Sequence, residues 1–366
     1  MHYSNQFKRN IMIMGNSYSA EAFLSGDGPD FAALSEFHRS IYLLIRSWYS
    51  PGENITIHTS GSTGVPTEMF ASKDKIFNSV MYTQNFFSLK EGDKALLCLP
   101  LPYVAGVMMV MRALVIGMDL YVVPPCGRPF AKRDWPTFDF ASLTPMQVFN
   151  TLQDESEREQ LESVKNLIVV GGQIDHKLEQ ELKGFPNKVY STYGMAETLA
   201  HIGMRKLNGE DASQWYTPFG GVHLSTDEDG ALIIDAPLVA TQRLYTHDMG
   251  EICDDGRFII TGRKGNVVNS GGIKIQIEKV EKMLESSIKS AFAISSIPDP
   301  KFGEAIVLAV EGDDVNLSEI KNKLPPYYRP KYVFKLERIP RTETDKINRK
   351  KLKELLHNMM VKNVGM

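Results

Sequence analysis

Up to about residue 220 this chain repeats one pattern, a short apolar run that stops at or near glycine and passes into a segment of helical period, and few folds accept that order. Residues 95–99, 120–123, 167–170 and 188–192 read as strands, and 74–87 and 104–116 as helices. Residues 30–48 also read as a helix, because Phe31, Leu34, Phe37, Ile41, Leu44 and Ile45 share a face. Alternation of this kind implies a mainly parallel sheet with helices on both faces, since parallel neighbours need a long crossover. Ligands of such sheets sit beyond the C-terminal strand ends. Loops at Gly61, Gly171 and Gly194 fall at such ends, so one site is expected where they converge.

The run Ile55-Thr56-Ile57-His58 breaks into Thr59-Ser60-Gly61-Ser62-Thr63-Gly64-Val65-Pro66, a loop of glycines and small hydroxyls. Glycine lets the backbone approach an anion closely, and convergent N–H groups and hydroxyls supply donors without bulk. A Walker loop is excluded, because Gly64 is followed by Val65 rather than lysine. An ordinary flexible turn has the same composition.

Beyond Gly220, Asp229-Gly230, Asp255-Gly256 and Gly262 punctuate apolar runs at 232–234 and 258–260, the mark of antiparallel hairpins. From Arg263 a smaller segment carries a helix over 277–284, strands over 291–297 and 305–310, and a basic last helix over 349–357. The expected fold class is α/β. A large domain, 1–262, includes an antiparallel β unit at about 220–262 and joins a small α+β domain, 263–366, through a short hinge. A net charge of −3 argues against a nucleic-acid surface. Cys98, Cys126 and Cys253 are too scattered for a zinc knuckle or disulfide framework, and His58, His201 and His223 lack metal-ligand spacing. The first residues lack the apolar core of a signal peptide, and the apolar stretch 104–123 is broken by Arg112, Gly117 and Asp119. A cytoplasmic protein with no nucleic-acid partner and no membrane span is expected.

The phosphate loop is followed in order by Leu99-Pro100-Leu101-Pro102-Tyr103, Gly171-Gly172-Gln173, Tyr193-Gly194-Met195-Ala196-Glu197-Thr198, Thr246-His247-Asp248, Gly262-Arg263, Ser270-Gly271-Gly272-Ile273-Lys274 and Pro340-Arg341-Thr342 with Lys346-Ile347. Together these resemble the adenylate-forming superfamily of acyl- and aryl-CoA synthetases, adenylation domains and luciferases, from about Ile55 to Leu352. The resemblance implies a two-step ligase: a carboxylic acid attacks the α-phosphate of ATP, and the thiol of coenzyme A then displaces AMP from the acyl-adenylate. It implies that Thr59, Ser60, Gly61, Ser62, Thr63 and Gly64 bind ATP, with Ser62, Thr63 and Gly64 holding the β- and γ-phosphates. Gly171, Gly172 and Gln173 would lie beside adenine, with Tyr193 stacked on it and Gly194 and Met195 adjoining. Asp248 would take the ribose hydroxyls with Arg263 in support, Glu197 would bind Mg2+, and Lys346 would reach the α-phosphate and the attacking carboxylate. Arg263 and Lys264 would form the hinge that brings Ser270, Gly271, Gly272 and Lys274 in for the thioester step. Tyr103 and Arg112 are candidates for holding the acid.

Plainer roles exist for each. Glu197 could be a helix-terminal acid, Asp248 a turn residue, Lys346 part of a solvated basic run with Arg349 and Lys350, and Arg112 a surface helix residue. The chain also departs from the family pattern. Thr67 replaces the lysine after the loop proline, Pro102-Tyr103 an aromatic-histidine pair, Ala196 a threonine, and His247 and Asp345 each a glycine. Few residues precede the phosphate loop, so part of the usual N-terminal subdomain is expected to be missing, its exposed edge covered by a second subunit of a homo-oligomer. An enzyme that charges a carrier protein, and a catalytically weakened adenylate-binding protein, are the alternative readings.

Overall fold

The computed structural model describes residues 9–25, 29–59, 67–131, 134–172, 174–312, 317–342 and 346–364. Two compact units emerge, one of Met1–Leu224, Ile234–Leu244 and Cys253–Phe258, the other of Ser225–Ile233, Tyr245–Ile252 and Ile259–Met366.

A nine-stranded sheet organises the first unit, in the order Thr217–Pro218, Ala200–Lys206, Lys188–Met195, Asn166–Val169, Phe140–Leu143, Lys94–Leu97, Asp119–Val122, Ile11–Ile13, Asn16–Tyr18. The six strands from Lys188–Met195 to Ile11–Ile13 are parallel, and antiparallel partners close both edges. Parallel strands are covered on both faces, and their near-continuous apolar sequences follow from that burial. On one face Val148, Leu161, Leu178 and Leu182, from the helices Pro145–Thr151, Glu155–Glu162 and His176–Lys183, join Leu96, Leu143 and Leu167 of the strands in one core. The helix Val104–Ile116 is buried all round from Gly106 onward, which its uniformly apolar sequence requires. Gly106 lets it close on the preceding loop, because a Cβ there would lie 2.4 Å from the Pro100 carbonyl oxygen.

The expected helix over 30–48 is in fact two elements. A 3-10 turn, Asp30–Ala33, precedes the helix Glu36–Tyr49, and Ser35 caps the latter by accepting a hydrogen bond from the His38 N–H. The strand entering the phosphate loop, Asn54–Thr59, pairs antiparallel with Thr67–Ser72, Thr59 facing Thr67. The two strands therefore form an antiparallel pair, an arrangement the strand-then-loop reading did not contain.

Residues 223–263 form a four-stranded sheet in chain order, His223–Thr226, Ala231–Asp235, Leu244–Ile252 and Phe258–Arg263. Its connections are too short for parallel crossovers. Beyond Arg263, a five-stranded sheet organises the second unit: Ile273–Gln276, Val267–Ser270, Gly303–Glu311 and Phe292–Asp299 in order, with Tyr332–Leu336 parallel to Gly303–Glu311. The helices Ile277–Leu284 and Leu317–Lys323 cover one face through Val280, Leu284 and Ile320, and the helix Arg349–Val364 covers the other through Leu352 and Leu356. Among the described residues no helix is long and apolar enough to cross a membrane.

Candidate active site

Within the first unit, the C-terminal strand ends lie along one edge of the sheet, and their loops carry the motif residues. Lys188–Met195 brings in Tyr193 and Gly194 before a 3-10 turn, Ala196–Thr198, places Glu197 in solvent. This turn is held from several sides. A Cβ on Gly194 would lie 1.8 Å from the Ala200 carbonyl oxygen. The Thr198 hydroxyl accepts from the Met195 N–H and donates toward the Met195 and Ala200 carbonyls. The Ser79 hydroxyl donates to the Leu199 carbonyl at 2.6 Å. Leu199 and Ala200 have φ of 52° and 94°, left-handed values that cost non-glycine residues about 1–3 kcal/mol each and persist only where the surroundings enforce them. Glu197 is thus an exposed carboxylate on an unusually constrained turn.

Tyr193 is buried against Phe258 and Tyr216, ring centroids 5.3 and 6.1 Å away. Gly171, at φ +79°, and the exposed Gly172 follow the neighbouring strand. Ser60, Gly61, Ser62, Thr63, Gly64 and Gln173 lie outside the described residues, and of Thr59 only the backbone, at its strand end, is described.

One residue that the sequence reading missed ties three of these loops together. Gln147 is buried, and its Nε2 donates to the carbonyls of Cys98 (3.1 Å) and Cys126 (2.9 Å), while its Oε1 accepts from the Thr144 N–H. The Thr144-x-x-Gln147 spacing of a capping box was the available signal, although it marks a helix start and not the clamp.

The acid candidates part company on the helix Val104–Ile116. Tyr103 caps it, half exposed, whereas Arg112 is 1% exposed and so is no surface arginine. Its Nε donates to the Thr83 hydroxyl at 3.0 Å, its guanidinium lies 5.9 Å from the Phe140 ring centre, and its Nη2 has no hydrogen-bond partner among the described residues. Burial lowers its pKa to about 9, so it remains charged at neutral pH. His201 completes the group, its Nε2 being 2.9 Å from the Thr83 hydroxyl. Burial, and then the Arg112 charge, lower the His201 pKa well below the usual value, and the imidazole is neutral.

In the second unit Asp248, Arg263 and Lys346 come together. Arg263 Nε donates to Asp248 Oδ1 at 2.7 Å, and the Asp248 N–H donates to the Thr246 hydroxyl. Lys346 is exposed by residue area, yet protein atoms crowd its ammonium. That desolvation, followed by repulsion from Arg263, lowers its pKa, with Asp248 acting in the opposite sense. The Lys264 N–H donates to the His247 carbonyl at 2.6 Å, and its ammonium pairs with Asp227 and Asp229 at 3.1 and 2.7 Å. Arg263 and Lys264 both fall inside this unit. Gly271 and Gly272, at φ +60° and +82°, form a two-residue turn between paired strands, with Ser270 opposite Ile273 and Lys274 at the start of the return.

Residues 53–262 match the family model of the AMP-binding enzymes. A 2-succinylbenzoate–CoA ligase of Geobacillus sp. (strain WCH70) is 26% identical over 343 residues, 82% of this chain and 69% of that protein. One from Bacillus thuringiensis subsp. konkukian (strain 97-27) is 26% identical over 352 residues, 86% and 73%. Among solved structures, an acyl-CoA synthetase (AMP-forming)/AMP-acid ligase II-like protein of Dyadobacter fermentans DSM 18053 is 30% identical, with a TM-score of 0.62 over 88% of this chain and 95% of that one. The o-succinylbenzoate CoA synthetase of Bacillus subtilis in complex with the acyl-adenylate intermediate OSB-AMP shares the fold, at 20% identity and a TM-score of 0.67 over 81% and 68%. The chain belongs to the AMP-binding enzyme family, as an ATP-dependent, AMP-forming ligase of carboxylic acids to coenzyme A.

Proposed function

We propose that this enzyme is an o-succinylbenzoate:CoA ligase of menaquinone synthesis, joining the aliphatic carboxylate of its substrate to coenzyme A through an acyl-adenylate. The observation that carries the choice of acid is Arg112, a buried cation whose recorded hydrogen-bond partner is the neutral Thr83 hydroxyl and whose Nη2 is unmatched among the described residues. An uncompensated buried charge is costly, and a second carboxylate on the ligand would relieve that cost directly or through water. The names of the relatives at 26% identity favour the same acid.

Lys346 would stabilise the charge that develops between the α-phosphate and the attacking carboxylate, Asp248 would accept the ribose hydroxyls, and Arg263 would hold Asp248 in place. The phosphate loop would receive pyrophosphate as it leaves. Among the described residues no group of three His, Cys, Asp or Glu side chains could hold a metal. Glu197, a single exposed carboxylate, fits the way magnesium is usually bound, through one or two carboxylates together with substrate phosphates and water. The ion supplies charge neutralisation for the polyphosphate.

ATP–pyrophosphate exchange and coenzyme A consumption, measured with o-succinylbenzoate, benzoate, acetate and a long fatty acid, test this reading. Strong turnover with o-succinylbenzoate and weak turnover with the rest is expected. Robust turnover of a simple acid with none of o-succinylbenzoate would overturn the substrate while leaving adenylation intact. Exchange without coenzyme A consumption would favour a carrier protein as acceptor.

A further inference from the structure

We infer that the ion pair between Glu281 and Arg349 is the positioning device for Lys346, an inference that rests on the adenylation role proposed for that lysine. Lys346 lies on a segment, residues 346–348, that is held against residues 340–342. Arg341 bridges Ile347, the Thr342 N–H donates to the Lys346 carbonyl at 2.7 Å, the Lys346 N–H donates to the Thr342 hydroxyl at 3.1 Å, and the Asn348 N–H donates to the Pro340 carbonyl at 2.8 Å. The segment is attached to the rest of the unit on both sides: Ile339 is buried in the core with its N–H donating to Glu311 Oε1 at 2.8 Å, Ile347 packs on the same core, and one residue after Asn348 Arg349 opens the last helix.

Arg349 makes a two-pronged contact with Glu281 of the helix Ile277–Leu284, Nη1 to Oε1 at 3.1 Å and Nη2 to Oε2 at 2.7 Å, and Nη1 also reaches the Ile294 carbonyl at 3.2 Å. Glu281 Oε1 in turn accepts the Ile294 N–H at 2.8 Å. A planar guanidinium fork on a carboxylate fixes orientation as well as distance, which a lysine at the same place could not do. The side chains are 25% and 15% exposed, so water competes little for either. The helix start three residues beyond Lys346 is therefore locked to a neighbouring helix and to the strand Phe292–Asp299. The sequence hid this function, because Arg349 looks like one more member of a basic run.

Glu281→Gln keeps the shape and removes the charge, and Arg349→Lys keeps the charge and removes the fork. Each is expected to slow single-turnover adenylation about ten- to a hundredfold, the usual result of displacing a reacting group by about an ångström. Thioester formation from supplied acyl-adenylate should change by no more than about twofold, since that step does not depend on Lys346. In a Lys346→Ala background Glu281→Gln should cost no further adenylation, as expected for residues acting through one another. If Lys346→Ala itself leaves adenylation intact, the role of the lysine falls and the inference with it. If Lys346→Ala abolishes adenylation while both pair variants adenylate normally, only the inference falls. Equal loss in both half-reactions, or failure of both variants to fold, would show a purely structural pair.

Discussion

Lys346 and Arg112 are both crowded cations, and they are expected to respond to mutation in opposite ways. A charged donor aimed at the transition state is worth about two to four powers of ten in rate, so Lys346→Ala should lose that much adenylation and far less thioester formation from a supplied adenylate. The ammonium must be protonated to act, and its pKa is lowered by desolvation and by Arg263. Adenylation should accordingly decline as pH rises, with a midpoint below the ordinary lysine value; a pH–rate profile that stays flat through that value would remove Lys346 from the mechanism. Arg112 instead burdens the folded protein, because its charge is buried with no acid beside it among the described residues. Replacing buried ionic groups by apolar ones of similar volume is often neutral or stabilising by about 1–4 kcal/mol. Arg112→Met should therefore leave the thermal midpoint of the ligand-free protein unchanged or higher while raising the KM for o-succinylbenzoate. A lower midpoint with unaltered KM would assign the arginine to packing.

At the scale of single elements, the turn Gly271-Gly272 shows what backbone conformation alone contributes. A Cβ on Gly272 would meet nothing within 4 Å, so Gly272→Ala is expected to cost about 1–2 kcal/mol of stability through its left-handed φ and not through a clash. Gly272→Asn should cost less, because asparagine tolerates that region, and chemical denaturation of the two variants gives the order. Equal costs would point to a role for the bare backbone at that position. Elements of this kind were partly legible in advance. The strands at 95–99, 120–123, 167–170 and 188–192 could be read because apolar runs bounded by turn residues persist when both sheet faces are buried. Phe140–Leu143 escaped, since the four residues Phe-Ala-Ser-Leu are too short and mixed to stand out, and the Thr67–Ser72 strand escaped because its pairing with Asn54–Thr59 lies across the loop and not in local pattern. The break before Glu36 was written in Ser35, which the apolar periodicity overran. Of the candidate site, the meeting of Asp248, Arg263 and Lys346 was readable only from the order of the motifs, because residues almost a hundred positions apart carry no local signal of contact.

For the whole molecule we propose that one chain serves two half-reactions by pivoting at Arg263-Lys264, as the resemblance to adenylate-forming enzymes implies. A pivot absorbs motion in a few backbone dihedrals, so fixing one of them should impede the step that needs the change. Lys264→Pro fixes φ but also deletes the N–H that donates to the His247 carbonyl at 2.6 Å, a loss of about 1 kcal/mol that has nothing to do with pivoting. Lys264→Ala keeps that N–H and removes only the ammonium with its contacts to Asp227 and Asp229, exposed pairs that water screens and that contribute little to stability. The comparison removes the ammonium as a variable, leaving the fixed dihedral and a lost hydrogen bond of about 1 kcal/mol as the difference. Lys264→Ala should support near-normal formation of the CoA ester, whereas Lys264→Pro should adenylate its acid and then pass it to coenzyme A slowly, so that acyl-adenylate accumulates on the enzyme in rapid-quench measurements. Normal overall turnover by Lys264→Pro would mean that the chain does not pivot there, and parallel loss in both variants would trace the effect to the lost ammonium.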